Sequence, residues 1–337
     1  MGRVGAAGAF VLSPDLFEVI RVRRALLPFI AASHTVGGQA VIEGVMMRSR
    51  DRLAIAVRKA DGQILVESRP WYTMTTAAIL RKPFLRGFPV LLETMVNGIK
   101  ALNFSAMQSS EGEDGEGELT SWHLALTMVV AIGVALGLFV VVPHFFSAVM
   151  QWLGLAGDVE SLSFNAWDGL FKMLVFVGYI AAISVVPDIR RVFQYHGAEH
   201  KVIWAFESGK ELSVDNARAR SRLHPRCGTS FLLFVLAVSI LLHTMFVPLV
   251  LSLYKPEVFL LKHVYIVAAK LLFMIPVSCV AYEMIRFAGK FNRNVFCRML
   301  CWPGLALQML TTKEPDDSQI EVAMAALKCA VSEEGGC

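Results

Sequence analysis

Charge is what this sequence has least of. Only 18% of its 337 residues are Asp, Glu, Lys or Arg, against ~25% in an ordinary soluble domain. Three stretches carry none at all: Leu119–Gly157, the residues between Lys172 and Asp188, and Cys227–Tyr254. Cysteine is scarce too, with six residues at 227, 279, 297, 301, 329 and 337. That number in a long chain excludes a small disulfide scaffold and leads us to expect free thiols in a reducing compartment. A cleavable signal peptide is also missing: residues 1–36 hold four arginines and a short apolar run, Ala25–Ala32, with no cleavage site after it. What is abundant is apolar surface. The apolar fraction is 55% and the mean hydropathy is +0.54, which excludes disorder and points to lipid. The net charge of +4 is spread along the chain and does not argue for nucleic acid.

Spanning a bilayer takes ~20 apolar residues in a helix. Leu124–Val149, Gly169–Val186 and Phe231–Leu253 meet that requirement, and Phe259–Tyr282, interrupted by Lys270, is a fourth and weaker run. Lys270 is expected to snorkel or to face the bundle. His123 and His144, at the ends of the first run, read as interfacial. The connection Gln151–Asp168 has no Lys or Arg, whereas Pro187–Arg226 has eight. Basic loops stay in the cytoplasm, so both termini and the long central loop are expected inside the plasma (inner) membrane.

The fold class expected is therefore an α-helical integral membrane protein with about four transmembrane helices, plus a small α+β cytoplasmic N-terminal unit. Residues 1–36 are an extension and 37–110 the α+β unit. Residues 111–120 form an acidic linker, 121–285 the bundle with a central loop at 187–230, and 286–337 a cytoplasmic tail. Within the unit, Leu53–Arg58 and Gln63–Ser68 flank Asp61-Gly62, a strong hairpin signal, and Val41–Met47 is one further strand. Gly87–Met107 is an amphipathic helix, with Arg86 and Glu93 read as a solvated pair near its start. Asp316 and Gln319 have capping-box spacing for a last helix.

The central loop carries the chemistry. Pro187-Asp188 starts a helix with Asp188 as N-cap, and Gly209 suits its C-terminal end. Ile189, Val192, Phe193, His196, His200 and Ile203 share one face. His196-Gly197-Ala198-Glu199-His200 reads H-x-x-E-H, the inverted zincin order. Residues i and i+4 project together, so two imidazoles can reach one metal, and a carboxylate between them can take a proton from water. His224 and Cys227 are the candidates for a third ligand. Four protein ligands would make a closed, structural site; three leave a position open for catalysis. The alternative to metal is a hydrogen-bonded buried network, and Gly197 weakens the helix by ~1 kcal/mol relative to alanine. Glu43, set among glycines, either approaches this site or ends a strand. Cys297 and Cys301 are i and i+4 but have no histidine partner nearby.

Three groups of residues resemble a known family. These are Gly37-Gly38-Gln39-Ala40-Val41-Ile42-Glu43-Gly44, then Tyr195–Lys201 with His224-Pro225-Arg226-Cys227-Gly228-Thr229-Ser230, and Pro303-Gly304-Leu305 with Leu310–Asp317. Together they resemble the YqhQ-like family of bacterial integral membrane proteins, which has relatives in chloroplast-bearing lineages. The resemblance runs over roughly residues 37–328. It implies a metal-dependent membrane enzyme whose reaction is unassigned.

The expected function is a zinc (Zn2+) hydrolase at the cytoplasmic membrane surface, acting on a peptide or lipid substrate. Its metal ligands are His196, His200 and His224 or Cys227, and Glu199 is the general base. A non-enzymatic scaffold or regulator with a structural metal is the second reading. A carrier or channel is the third, disfavoured because the spans hold almost no ionisable residues. The lipid bilayer is the expected partner, with self-association into a homo-oligomer a further expectation.

Overall fold

The computed structural model describes residues 36–49, 52–109, 121–254, 256–290 and 295–332. The extension up to residue 35 and the acidic linker 111–120 lie outside them.

The N-terminal unit is a four-stranded antiparallel meander in the order β1 (Val36–Val41), β2 (Gly44–Ser49), β3 (Arg52–Arg58), β4 (Ile64–Pro70). Its register pairs Val41 with Gly44, Ser49 with Arg52 and Arg58 with Ile64. The expected single strand Val41–Met47 is two strands. A two-residue turn, Ile42-Glu43, breaks it, with Glu43 held at φ +50°, a region that non-glycine residues seldom occupy. The Asp61-Gly62 turn is present, with Gly62 at φ +85°.

Side chains along a strand alternate between faces. Val45, Met47, Ala54 and Ala56 join one apolar cluster; Val41, Met46, Leu53, Ile55 and Val57 join another. Both faces are therefore covered, which explains why β3 reads as an unbroken apolar run. One cover is helix α1 (Gly87–Ser109), through Ala101 and Phe104.

Four helical stretches are long and apolar enough to cross a membrane: Val129–Trp152, Leu162–Ile183, Phe231–Leu253 and Leu260–Phe287. The first joins α2 (Ser121–Leu136) to α3 (Val142–Trp152) through a π segment, Gly137–Val141, just before Pro143. A widened turn there accommodates the missing amide of proline. The second is α4 (Leu162–Ile183). After α5 (Pro187–Glu207) and the short α6 (Val214–Arg218) come α7 (Gly228–Leu253) and α8 (Phe259–Lys290), which hold the third and fourth stretches. Helix α4 starts earlier than expected, so Asp168 joins Lys172 inside the apolar stretch rather than standing before it.

The last described elements are α9 (Val295–Thr311) and α10 (Asp317–Val331). The capping box at α10 forms as its spacing predicts, with Asp316 and Gln319 each bonding the other's backbone. Helix α10 is buried on most sides. Ile320, Ala323, Leu327 and their neighbours fill the space between the sheet and α5 in one cluster with Tyr195, Ala198 and Val202. The unit is thus three layers: α1, the sheet, then α10 with α5. The last described helix completes a core begun by the first strands.

Candidate metal centre

Helix α5 brings the site together. Pro187 occupies its first turn, where a missing amide costs nothing, and the N-cap is Val186 rather than Asp188, which sits in the first turn. Gly209 ends the helix at φ +65°. Across from α5, Cys227 is the N-cap of α7, its sulfur accepting from the Thr229 amide. One ligand atom each from His196, His200 and Cys227 lies within 4.8 Å of the other two. His196 Nε2 is 3.1 Å from Cys227 Sγ.

Each histidine is oriented from behind. His196 Nδ1 meets the Thr311 carbonyl at 2.8 Å and His200 Nδ1 the Arg222 carbonyl at 2.5 Å. A carbonyl can only accept, so both Nδ1 atoms donate and both Nε2 atoms present lone pairs. This backing is the usual arrangement behind metal-ligating imidazoles. His200 Nε2 is buried with no hydrogen-bond partner, and so is Glu199 Oε2. Two lone-pair nitrogens, a thiol and an orphaned carboxylate oxygen fit a borderline-soft divalent cation.

The charges around the site are tuned by burial. Burial pushes the Glu199 carboxyl up to about 8; His196 and the Gly38 amide oppose this. Burial also holds the His200 imidazole below its usual value. Burial alone would raise the Cys227 thiol, but His200 and the Thr229 contacts bring it below the ordinary range. The thiol is thereby poised toward the thiolate that metals bind.

Two glycines of the quoted motifs have steric reasons. A Cβ on Gly197 would collide with the Lys313 carbonyl oxygen, and the Lys313 amide bonds the Phe193 carbonyl at 2.8 Å. The segment after α9 therefore lies directly on α5. A Cβ on Gly38 would come 2.8 Å from Glu199 Oε1, so the β1 edge reaches the carboxylate through backbone alone. Glu43 approaches α5 as well, but away from the metal ligands: its carboxylate binds the Arg191 guanidinium through both oxygens and accepts from Tyr195 Oη at 3.2 Å.

His224 is nearby but outside the three-ligand group. Gln308 pins its backbone on both sides, at 2.8 Å each, which turns the ring toward Glu207, with Nε2 3.6 Å from Glu207 Oε2. Burial lowers its pKa to about 3, so it is neutral. Arg86 and Glu93 do not pair with each other. Arg86 forms a two-point pair with Glu283 of α8, 2.7 Å at each contact. Glu93 Oε1 accepts from Thr73, Met74 and Thr75. Cys227 and Cys279 are free thiols, but Cys329, in the last turn of α10, carries a disulfide, which corrects the expectation of free thiols throughout. The side chains of Cys297, Cys301 and His123 lie outside the described residues.

The reading of the spans missed a buried polar cluster. Lys270 faces the bundle and binds Asp168 at 2.7 Å, and Lys172 binds the same oxygen at 2.8 Å. His144 is buried against His263 rather than interfacial. The available signal was the i,i+4 spacing of Asp168 and Lys172, together with a lone lysine in another apolar run. Thr311, Gln308 and Arg222 were also missed as supports; they act largely through backbone groups, which leave no side-chain signature.

A family described as "Protein of unknown function (DUF1385)" matches residues 82–333. The chain belongs to that family, of YqhQ-like proteins. "Uncharacterized protein YqhQ" of Bacillus subtilis (strain 168) is 36% identical over 301 residues, covering 86% of this chain and 89% of the relative. No solved structure matches. The DUF1385 match begins after the sheet, whereas the two other motif groups, including the candidate metal ligands, fall within it.

Proposed function

We propose that this YqhQ-like protein is a four-span membrane hydrolase whose divalent cation, expected to be zinc, is held by His196, His200 and Cys227 at the cytoplasmic membrane surface. The observation that carries this reading is the convergence of three ligand atoms within 4.8 Å beside an orphaned Glu199 oxygen. Three protein ligands leave a position open, as in catalytic rather than structural sites. The apolar helices support the membrane setting, since large side chains such as Val129, Val134, Leu241 and Leu272 are mostly uncovered. The eight basic residues of 187–226 favour placing the site on the cytoplasmic side.

A divalent cation there supplies a Lewis acid that makes water acidic enough to act as a nucleophile near pH 7. Glu199 Oε2 takes the proton from the attacking water and returns it to the leaving group. Gly38 fixes the other carboxylate oxygen, and the carbonyls of Thr311 and Arg222 hold the imidazoles in the ligating tautomer. The substrate class is a peptide or lipid with a scissile acyl bond at the membrane surface.

Metal analysis of the purified full-length protein is expected to find one divalent ion per chain, lost in a His196→Ala, His200→Ala double variant and retained in Glu199→Gln. In cobalt-substituted protein, a simple hydroxamate is expected to shift the visible bands by entering the open position. A folded double variant that keeps stoichiometric metal would sink the ligand assignment. Cobalt bands indifferent to hydroxamate would favour a closed structural site and the scaffold reading.

A further inference from the structure

The buried polar cluster of the spans lies at the end of the bundle away from the metal site. Helix α4 leads into α5 and α7 begins at Cys227, so the metal site is at one end; the α3–α4 and α7–α8 connections are at the other. Measured from that far end at 1.5 Å per residue, His263 is about 5 Å deep and Asp168 about 9 Å. His144 is about 12 Å deep, and Lys172, His243 and Lys270 are about 15 Å deep. The last three thus stand near the middle of a ~30 Å hydrocarbon layer. At the mouth, Lys262 lies 3.3 Å from Asp158 and 3.4 Å from Glu160.

The charge arithmetic is uneven. Asp168 Oδ2 receives ammonium groups from both Lys172 and Lys270: one carboxylate against two cations. Asp168 and Lys270 are almost completely buried. A surplus charge at that depth is expensive, and ionisable side chains within spans mark functional sites. Three polar atoms around the pair have no partner: Asp168 Oδ1, His243 Nδ1 and His144 Nδ1. His243 Nε2 meets the Lys270 carbonyl at 3.2 Å, so it donates and its Nδ1 keeps a lone pair. His144 Nε2 and His263 Nδ1 are 2.6 Å apart and share a proton. Both His144 and His243 interact electrostatically with Asp168, Lys172 and Lys270. Helix α9, which also touches α4, adds no titratable group among its described side chains, those of residues 299 and 302–311.

We propose that Asp168, Lys172 and Lys270, with His243 and the His144–His263 pair, form a proton-exchanging site at mid-bilayer depth, reached from the α3–α4 loop side. The open lone pairs suit a proton. An anion would meet the free Asp168 oxygen, and a metal ion would meet two ammonium groups. In the loaded state both lysines are ammonium and the site carries one surplus positive charge. On release one N–H bond breaks, and that lysine nitrogen keeps the electron pair. The proton passes over imidazole nitrogens, each accepting at one nitrogen and releasing from the other, to water at the loop side. A neutral Asp168–ammonium pair remains.

The site depends on the membrane reading above but not on the metal. The test is a pH jump on full-length protein in liposomes adsorbed to a solid-supported membrane, recording charge displacement. Wild type is expected to give a transient, saturable displacement several-fold above empty liposomes. Asp168→Asn is expected to lose it, but strands two cations and endangers folding. Lys172→Met leaves a balanced Asp168–Lys270 pair and is the safer variant, with at least a five-fold loss expected. No displacement in carbonate-resistant wild-type liposomes would overturn the proton site alone. So would a folded Lys172→Met with wild-type amplitude, or a signal that follows chloride or phosphate at fixed pH. Release of the protein by carbonate would overturn the membrane reading along with it.

Discussion

At the scale of single residues, Gly197 shows how a position can look unfavourable locally and be required by packing. Alanine there should help an isolated helix by ~1 kcal/mol, but its Cβ would strike the Lys313 backbone, which has little freedom to move. We expect Gly197→Ala to lose about 1–3 kcal/mol of stability, in the range of core overpacking. Metal affinity should fall too, because Thr311, two residues before Lys313, backs His196. Thermal unfolding and metal titration of the variant check both. Glu93 carries a second prediction. Burial raises its carboxyl, but donations from Thr75, Thr73 and Met74 outweigh this, and its pKa lies below the usual value. A lowered folded value means full stabilisation above the unfolded pKa of about 4.3, lost as pH falls through the folded value. Hydrogen-exchange protection of residues 72–77, relative to the unstructured rate at each pH, should be high at neutral pH, fall as pH drops through the lowered folded value, and be low at every pH in Glu93→Ala. His196, Glu199 and His200 were legible because i,i+3/i+4 spacing fixes a shared face. That Cys227 rather than His224 lies beside the two histidines was not, because Gln308, 84 residues away, pins the His224 backbone.

At the scale of elements, helical periodicity and length located the apolar helices well, while their ends depended on partners. Helix α4 takes Asp168 into its apolar stretch because Lys270, 102 residues away, binds the carboxylate. The strand expected over Val41–Met47 split in two because Glu43 adopts a left-handed conformation that composition does not announce. The Arg191 and Tyr195 contacts to its carboxylate hold that turn in place. Helix α10 was legible from its cap alone, but its place at the centre of the N-terminal core was not. That placement predicts the effect of deleting it. A chain ending at residue 315 would uncover the face of β2 and β3 formed by Val45, Met47, Ala54 and Ala56. We expect limited proteolysis to cut within residues 36–70 of the truncated protein and to spare them in the full chain. Survival of the sheet without α10 would contradict the shared core.

At the scale of the whole molecule, two polar centres sit at different depths of one helical assembly. The candidate metal centre stands where α5, the start of α7 and the segment after α9 meet. The Asp168 cluster is buried among α3, α4, α7 and α8. The scarcity of charge in the sequence is what makes the second centre conspicuous once its four helices are brought together. The closure of the first strands by the last helix also has a consequence in time. Strand β4 ends at residue 70 and α10 begins at residue 317. At a synthesis rate of ~5–20 residues per second, the sheet waits roughly 10–50 s with one apolar face bare. All four apolar helices emerge from the ribosome during that interval. The newborn sheet is then an aggregation-prone intermediate, and its survival depends on whatever shields it until the chain's final turn of helix arrives.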